Sequence, residues 1–184
     1  MGMGRCRAPN TPIPMALGYP APRLPLKGRE NSVPLRAAKP ELALAVQYSS
    51  TGAHIPSRSQ LRRWILVALE RDVIVTLRIV DAKEGRELNR AYRKKDYSTN
   101  VLTFVYGESA DGKLSGDIVL CAPVVAKEAR AQRKDLKHHY AHLVIHGALH
   151  LQGYDHETPT DADVMAQREV TLLARMKIAN PYGT

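Results

Sequence analysis

Asp72–Val80, DVIVTLRIV, runs directly into Asp81–Arg93, DAKEGRELNRAYR. The first stretch is β-branched and apolar and reads as a strand. Asp81 then offers a side-chain cap, and the spacing predicts a helix to about Arg93. Working outward, Glu41–Tyr48 (ELALAVQY) alternates and reads as an earlier strand. Between the two strands, Ser57 or Ser59 can cap a helix to about Glu70, with Leu61, Ile65, Val67, Ala68 and Leu69 on its apolar side. Downstream, Thr99–Tyr106 reads as a strand, Glu108–Gly112 (ESADG) as a turn and Gly116–Cys121 (GDIVLC) as the next strand. Pro123 opens a helix through about Arg133. Residues 135–151 form another helix, stopped at Gly153, and Asp161–Ile178 form the last. The expectation is a single α+β domain with a roughly four-stranded sheet and helices around it.

Length and composition agree with one domain. The chain has 184 residues, 44% of them apolar, which is enough for a real core. No apolar run reaches the roughly 18 residues that span a bilayer, so no membrane association is expected. The two cysteines, Cys6 and Cys121, lie far apart, which excludes a disulfide scaffold and a thiolate zinc finger. The net charge of +9 points to a polyanionic partner. Most of that excess sits in residues 1–40, with seven Lys/Arg against Glu30 alone and eight of the twelve prolines. These residues are expected to form a flexible, basic, proline-rich extension. They lack the apolar core of a secretory signal, and Met15 is an alternative start. Residues 41–184 are expected to form the functional domain.

The chemistry is concentrated in His142–His156, HLVIHGALHLQGYDH. His146 and His150 are four residues apart on a helix, so their rings stack on one face, roughly 5–6 Å apart at Cβ. Gly153 can adopt the left-handed conformation that ends the helix and returns the chain. That turn can bring His156 to the same point. Three imidazoles leave one tetrahedral position for water, as in a catalytic zinc site. His142 competes as a ligand, but it lies about 12 Å of axial rise from His150 and cannot share an ion with it. It is assigned instead to lining the rim or orienting a partner. The flanking helix is apolar on most sides, so several imidazoles in one buried stripe are costly unless something pairs them.

The spacing H-x3-H-x2-G-x2-H matches the metzincin proteases. Their general-base Glu follows the first His directly, and here that position is Gly147. A peptidase of that design has lost its base. Asp155 and Glu157 flank His156, and either could serve as base or orient a ligand. A second cluster, Leu88–Phe104 (LNRAYRKKDYSTNVLTF), holds Arg90, Arg93, Lys94 and Lys95 at a helix end, then the polar corner Ser98-Thr99-Asn100. Guanidinium groups bind phosphate bidentately, which makes Arg93 a candidate clamp. Arg90, Lys94, Lys95, Thr99, Asn100 and His142 are the candidate substrate contacts. Another basic group, Arg130 to His139, precedes the histidine helix. Metal-activated water with phosphate clamps points to phosphodiester hydrolysis.

These segments resemble the YbeY family of bacterial endoribonucleases. The resemblance rests on His146–His156 (HGALHLQGYDH), Leu88–Phe104 and Gly116–Cys121, and covers about residues 41–180. It implies a zinc-dependent, single-strand-specific ribonuclease with one Zn²⁺ per chain, nickel being the other candidate. It also implies a cytoplasmic role on ribosomal RNA and the small ribosomal subunit, in maturing the 16S rRNA 3′ end and in ribosome quality control. The family's ligands correspond to His146, His150 and His156, and its essential arginine to Arg93. The chain departs from the pattern at Tyr97-Ser98, where a Lys-Pro or similar pair is common, and in its first 40 residues. Two other readings compete: a zinc hydrolase of another class, such as a peptidase, and a non-catalytic ribosome-assembly factor with a structural metal.

Overall fold

A computed structural model of the chain describes residues 4–6, 39–52 and 54–183, the first three by their backbone alone. The expected strands are all present: β2 (Leu42–Tyr48), β3 (Val73–Val80), β4 (Val101–Glu108) and β5 (Leu114–Cys121). A short strand, β1 (Gly4–Cys6), pairs in parallel with Leu102–Phe104 of β4 at the sheet edge. Three residues are too few to show a periodic pattern, which is why the sequence reading counts four strands. The rest of the basic extension, up to residue 38, lies outside the described residues. The sheet order is β1-β4-β5-β3-β2. Among the described residues only the β4–β5 pair is antiparallel, and it is joined by a turn at Ser109–Gly112, inside the one expected over Glu108–Gly112, with Glu108 itself ending β4.

The helices are α1 (Arg58–Ala68), α2 (Ala82–Arg93), α3 (Ala122–Ala131), α4 (Leu136–Leu151) and α5 (Pro159–Arg175). The starts of α1 and α2 follow the predicted caps. Ser57 forms a reciprocal capping box with Gln60, and the Asp81 carboxylate accepts the Glu84 N–H. Asp135 does the same for His138 at the head of α4. The sheet separates two apolar clusters. On one face Val73, Val75, Leu77, Ile79 and Ile118 meet α1, α4 and α5. On the other, Leu102, Phe104 and Val119 meet Leu88 and Tyr92 of α2.

Helix α4 is the centre of the fold. Thirteen of its sixteen residues are buried, from His139 to Leu151. It lies hard against β5, and two glycines make that approach possible. A Cβ at Gly147 would stand 3.0 Å from Ile118 Cγ2. A Cβ at Gly116 would stand 2.2 Å from the Phe104 carbonyl oxygen and 2.4 Å from Leu151 Cδ2. A backbone carbonyl cannot step aside as a side-chain tip can. Gly116→Ala is therefore expected to destabilise the fold by about 1–3 kcal/mol through overpacking. Denaturant melts check this, and a wild-type midpoint would contradict the close packing of α4 on β5.

Candidate metal centre

The end of α4 is pinned from outside. Gln152 caps the helix and donates through Nε2 to the Ala68 carbonyl at 2.9 Å, while its Oε1 accepts the Glu70 N–H at 2.6 Å. Gly153 then takes φ +94°, and the Tyr154 N–H returns to the Leu149 carbonyl. The Tyr154 hydroxyl donates to Glu70, which also receives Arg168. This clasp ties the turn to α1 and α5. It sets His156 over the helix face that carries His146 and His150. The rings of His146 and His156 lie 5.6 Å apart, and those of His150 and His156 5.0 Å. One ligand atom from each of the three histidines falls within 4.8 Å of the other two.

Hydrogen bonds decide which nitrogen each ring offers. His150 Nδ1 lies 2.8 Å from the Tyr154 carbonyl, an acceptor only, so Nδ1 carries the proton. His146 Nδ1 lies 2.7 Å from Glu169 Oε1, and the same logic applies. The two Nε2 atoms therefore present lone pairs, and they face each other at 3.1 Å. His156 Nε2 is also buried and has no hydrogen-bond partner among the described residues. Facing lone pairs in a buried site call for a cation between them. Nitrogen ligands about 2.0–2.1 Å from a tetrahedral zinc stand about 3.3 Å from one another, close to the spacing of the first pair. The donor set fits a borderline transition metal held by neutral imidazoles. Burial is the main influence that keeps both rings neutral. It lowers His146 despite the opposing pull of Glu169, and it lowers His150, with help from His146, to about 3.

Glu169 is the residue the sequence reading missed. It is fully buried on α5 and serves two α4 histidines at once, taking His146 on Oε1 and His142 on Oε2 at 3.1 Å. The Tyr182 hydroxyl donates to the same Oε2. Burial alone would raise this carboxyl, but the hydrogen bonds from His142 and His146 outweigh it and hold it near 2. The arrangement is the carboxylate–histidine support seen behind metal ligands, which fixes tautomer and ring orientation. A signal was available: Glu169 sits between Met165 and Leu172 on the buried side of α5, where an acid needs a partner. Tyr182 lies past the last helix and left no comparable trace.

The remaining candidates divide into two groups. Thr99, Asn100 and His142 come together in a cleft of about 480 Å³ that also takes in Glu128, His139 and Tyr182. His142, assigned to the rim, is 97% buried and reaches both the cleft and Glu169. Arg90, Arg93, Lys94 and Lys95 do not line this cleft. Arg90, Lys94 and Lys95 are exposed and Arg93 is half-buried at the end of α2. Lys94 closes that helix in a left-handed conformation, and Asn89, Ser98 and Arg86 hold the following loop through Tyr97, Ala82 and Asp96. That loop delivers Thr99 and Asn100 to the cleft. Of the two candidate bases, Asp155 accepts the His156 N–H at 2.8 Å and so shapes the turn, while Glu157 is exposed.

The profile of the family described as Endoribonuclease YbeY matches residues 53–177, a span that contains the triad, Glu169 and Arg93. The chain is 59% identical over 143 residues to the Endoribonuclease YbeY of Thiobacillus denitrificans, covering 78% of this chain and 97% of that protein. It is 51% identical over 155 residues to that of Aromatoleum aromaticum, covering 83% and 99%. A Thermotoga maritima protein solved in solution aligns with a TM-score of 0.47 at 23% identity, over 77% of this chain and 99% of that one. A histidine triad carried on one buried helix and its glycine turn thus lies inside a match that spans most of the chain, and the chain belongs to the Endoribonuclease YbeY family.

Proposed function

We propose that the chain is a zinc-dependent, single-strand-specific endoribonuclease, with His146, His150 and His156 as the metal ligands and residues 41–184 as the catalytic domain. The observation that carries the metal assignment is the convergence of three imidazoles, two buried and one half-buried, whose Nε2 atoms have no protein donor to satisfy them. When bound there, a divalent ion supplies Lewis acidity toward a phosphodiester and a nucleophile at neutral pH. Glu169 and the Tyr154 carbonyl hold two of the rings in the tautomer that exposes Nε2. Thr99 and Asn100 bring polar groups to the adjoining cleft, and Arg93 clamps phosphate. Arg90, Lys94 and Lys95 attract the RNA backbone at longer range. The family membership supports work on RNA. The further assignment, to the 3′ end of 16S rRNA on the small ribosomal subunit, in ribosome quality control and in the cytoplasm, rests on the family resemblance. Among the described residues no helix is long and apolar enough to cross a membrane.

The peptidase reading fails at Gly147. That position faces Ile118 of the sheet, whose side chain would stand 3.0–3.2 Å from a Cβ, so the chain carries no base there and a larger residue would press on the sheet. A closed structural zinc needs four protein ligands, and the cluster among the described residues holds three. Assays on the purified full-length chain test the proposal. A chelator is expected to abolish cleavage of a short single-stranded RNA, and zinc to restore it, while the duplex form and an unstructured peptide stay intact. Nickel added in parallel distinguishes the second metal candidate. RNA cleavage that persists through exhaustive chelation would overturn the metal-dependent mechanism.

A further inference from the structure

The cleft beside the triad holds a carboxylate, and a carboxylate is out of place against a phosphate backbone. Glu128 stands on α3 with 21% of its side chain exposed. Its Oε2 is saturated: Asn100 Nδ2 donates to it at 2.9 Å and His139 Nε2 at 3.0 Å. Its Oε1 takes no hydrogen bond among the described residues, and it is not among the buried atoms that lack a partner. One oxygen is therefore clamped and the other is left open at the cleft wall. Burial tends to raise this carboxyl, but the hydrogen bonds from His139 and Asn100 prevail and keep it ionised below the ordinary range. The clamp is itself rigid. Asn100 Oδ1 accepts the Val101 N–H at 2.7 Å, and His139 is 97% buried.

The rest of the cleft suits a flat, polar group, since its lysine, Lys134, gives its ammonium to the Pro181 carbonyl. Val124 and the Tyr182 ring give it apolar surface, and its volume of about 480 Å³ lies within the range of small-ligand sites. It abuts the metal centre, because Tyr182 and His142 both bond the carboxylate that holds His146. A strand whose phosphate lies at the triad places a neighbouring nucleotide here. An ionised carboxylate only accepts hydrogen bonds, so it favours a base edge with an amino group and repels one lined by carbonyls.

Resting on the endoribonuclease reading, we propose that this cleft is a nucleobase-selecting subsite. In it, Glu128 Oε1 accepts a hydrogen bond from the amino group of guanine, adenine or cytosine and disfavours uracil, whose one N–H lies between two carbonyls.

The test uses the zinc-loaded full-length chain and a set of short single-stranded RNAs. Each carries guanosine, adenosine, cytidine or uridine at one of the nucleotides flanking the cut. At one flanking position uridine is expected to lower kcat/KM about tenfold relative to the other three. Glu128→Gln keeps an oxygen for Asn100 and His139 but turns a donor toward the cleft, so it is expected to erase or invert that preference. A Glu128 that only braces the Asn100 corner would slow all four RNAs alike, and that result overturns the proposal. If the variant melts early, the wild-type chain answers on RNA carrying N4,N4-dimethylcytidine at that position. Methylation removes the donors and keeps the ring, and the same tenfold loss is expected. Cleavage with no base preference at any flanking position refutes the subsite alone. Absence of any RNA cleavage refutes the endoribonuclease reading and the subsite with it.

Discussion

His150→Ala is expected to leave a folded chain that no longer retains zinc, with affinity down by more than about 100-fold. Losing a supporting group behind a ligand already costs about 10–100-fold, and this change removes a ligand outright. The two imidazoles left, His146 and His156, come from different elements and have lost the ring that stands between the helix and the turn. The fold should survive. Alanine is the best helix former, and α4 keeps its packing on the sheet through Gly147 and Leu151. The one internal hydrogen bond lost is that to the Tyr154 carbonyl. The measurement is metal content after gel filtration, paired with thermal melts with and without chelator. A ligand at 100 times its Kd stabilises the native state by about 2.7 kcal/mol, so chelation should lower the wild-type Tm and leave the variant's unmoved. One equivalent of tightly held zinc in His150→Ala would sink the ligand assignment, and with it the catalytic role of the triad.

Much of this site was legible before any coordinates because its parts are local. The spacing of His146 and His150 is a helix property, and Gly153 marks the turn that returns His156. The strands and capped helices were readable for the same reason: alternation, β-branching and the Ser57, Asp81 and Asp135 caps act over a few residues. What sequence could not show is long-range. Glu169 meets His146 across 23 positions and Tyr182 meets His142 across 40, and neither pairing follows from periodicity. His142 illustrates the ambiguity. Its place on the histidine stripe was evident, but only α5 decides that its ring turns to Glu169. Gly116 likewise reads only as the start of a strand until Leu151 is seen lying on it. The parallel pairing of Gly4–Cys6 with β4 is the extreme case, since the partners are almost a hundred residues apart and the strand is three residues long.

Arg93→Ala is expected to keep its zinc and its melting temperature and to lose about 10²–10³ in cleavage rate, or roughly 3–4 kcal/mol of transition-state stabilisation. The alternative is that Arg93 merely caps α2, which would put its value at about 0.3–1 kcal/mol of stability and spare activity. The helix end argues against that alternative. Lys94 already performs the cap: its backbone N–H bonds the Asn89 carbonyl and its Nζ bonds the Ala91 carbonyl at 3.1 Å. The Arg93 side chain makes no hydrogen bond or ion pair among the described residues, while that of Arg86 is committed to Asp96 through two bonds. A half-buried guanidinium with nothing to hold, one loop away from Thr99 and Asn100, is available to a phosphate. Its contribution grows as charge develops on the phosphoryl oxygens, so the loss should fall on kcat more than on KM. Arg93→Lys should recover part of the rate, since a point charge supplies attraction without the two-pronged geometry. Cleavage, metal content and melting measured on one preparation separate the possibilities. Near wild-type turnover by a folded, zinc-loaded Arg93→Ala would remove this residue from the reaction and leave phosphate binding to the cleft side of the molecule.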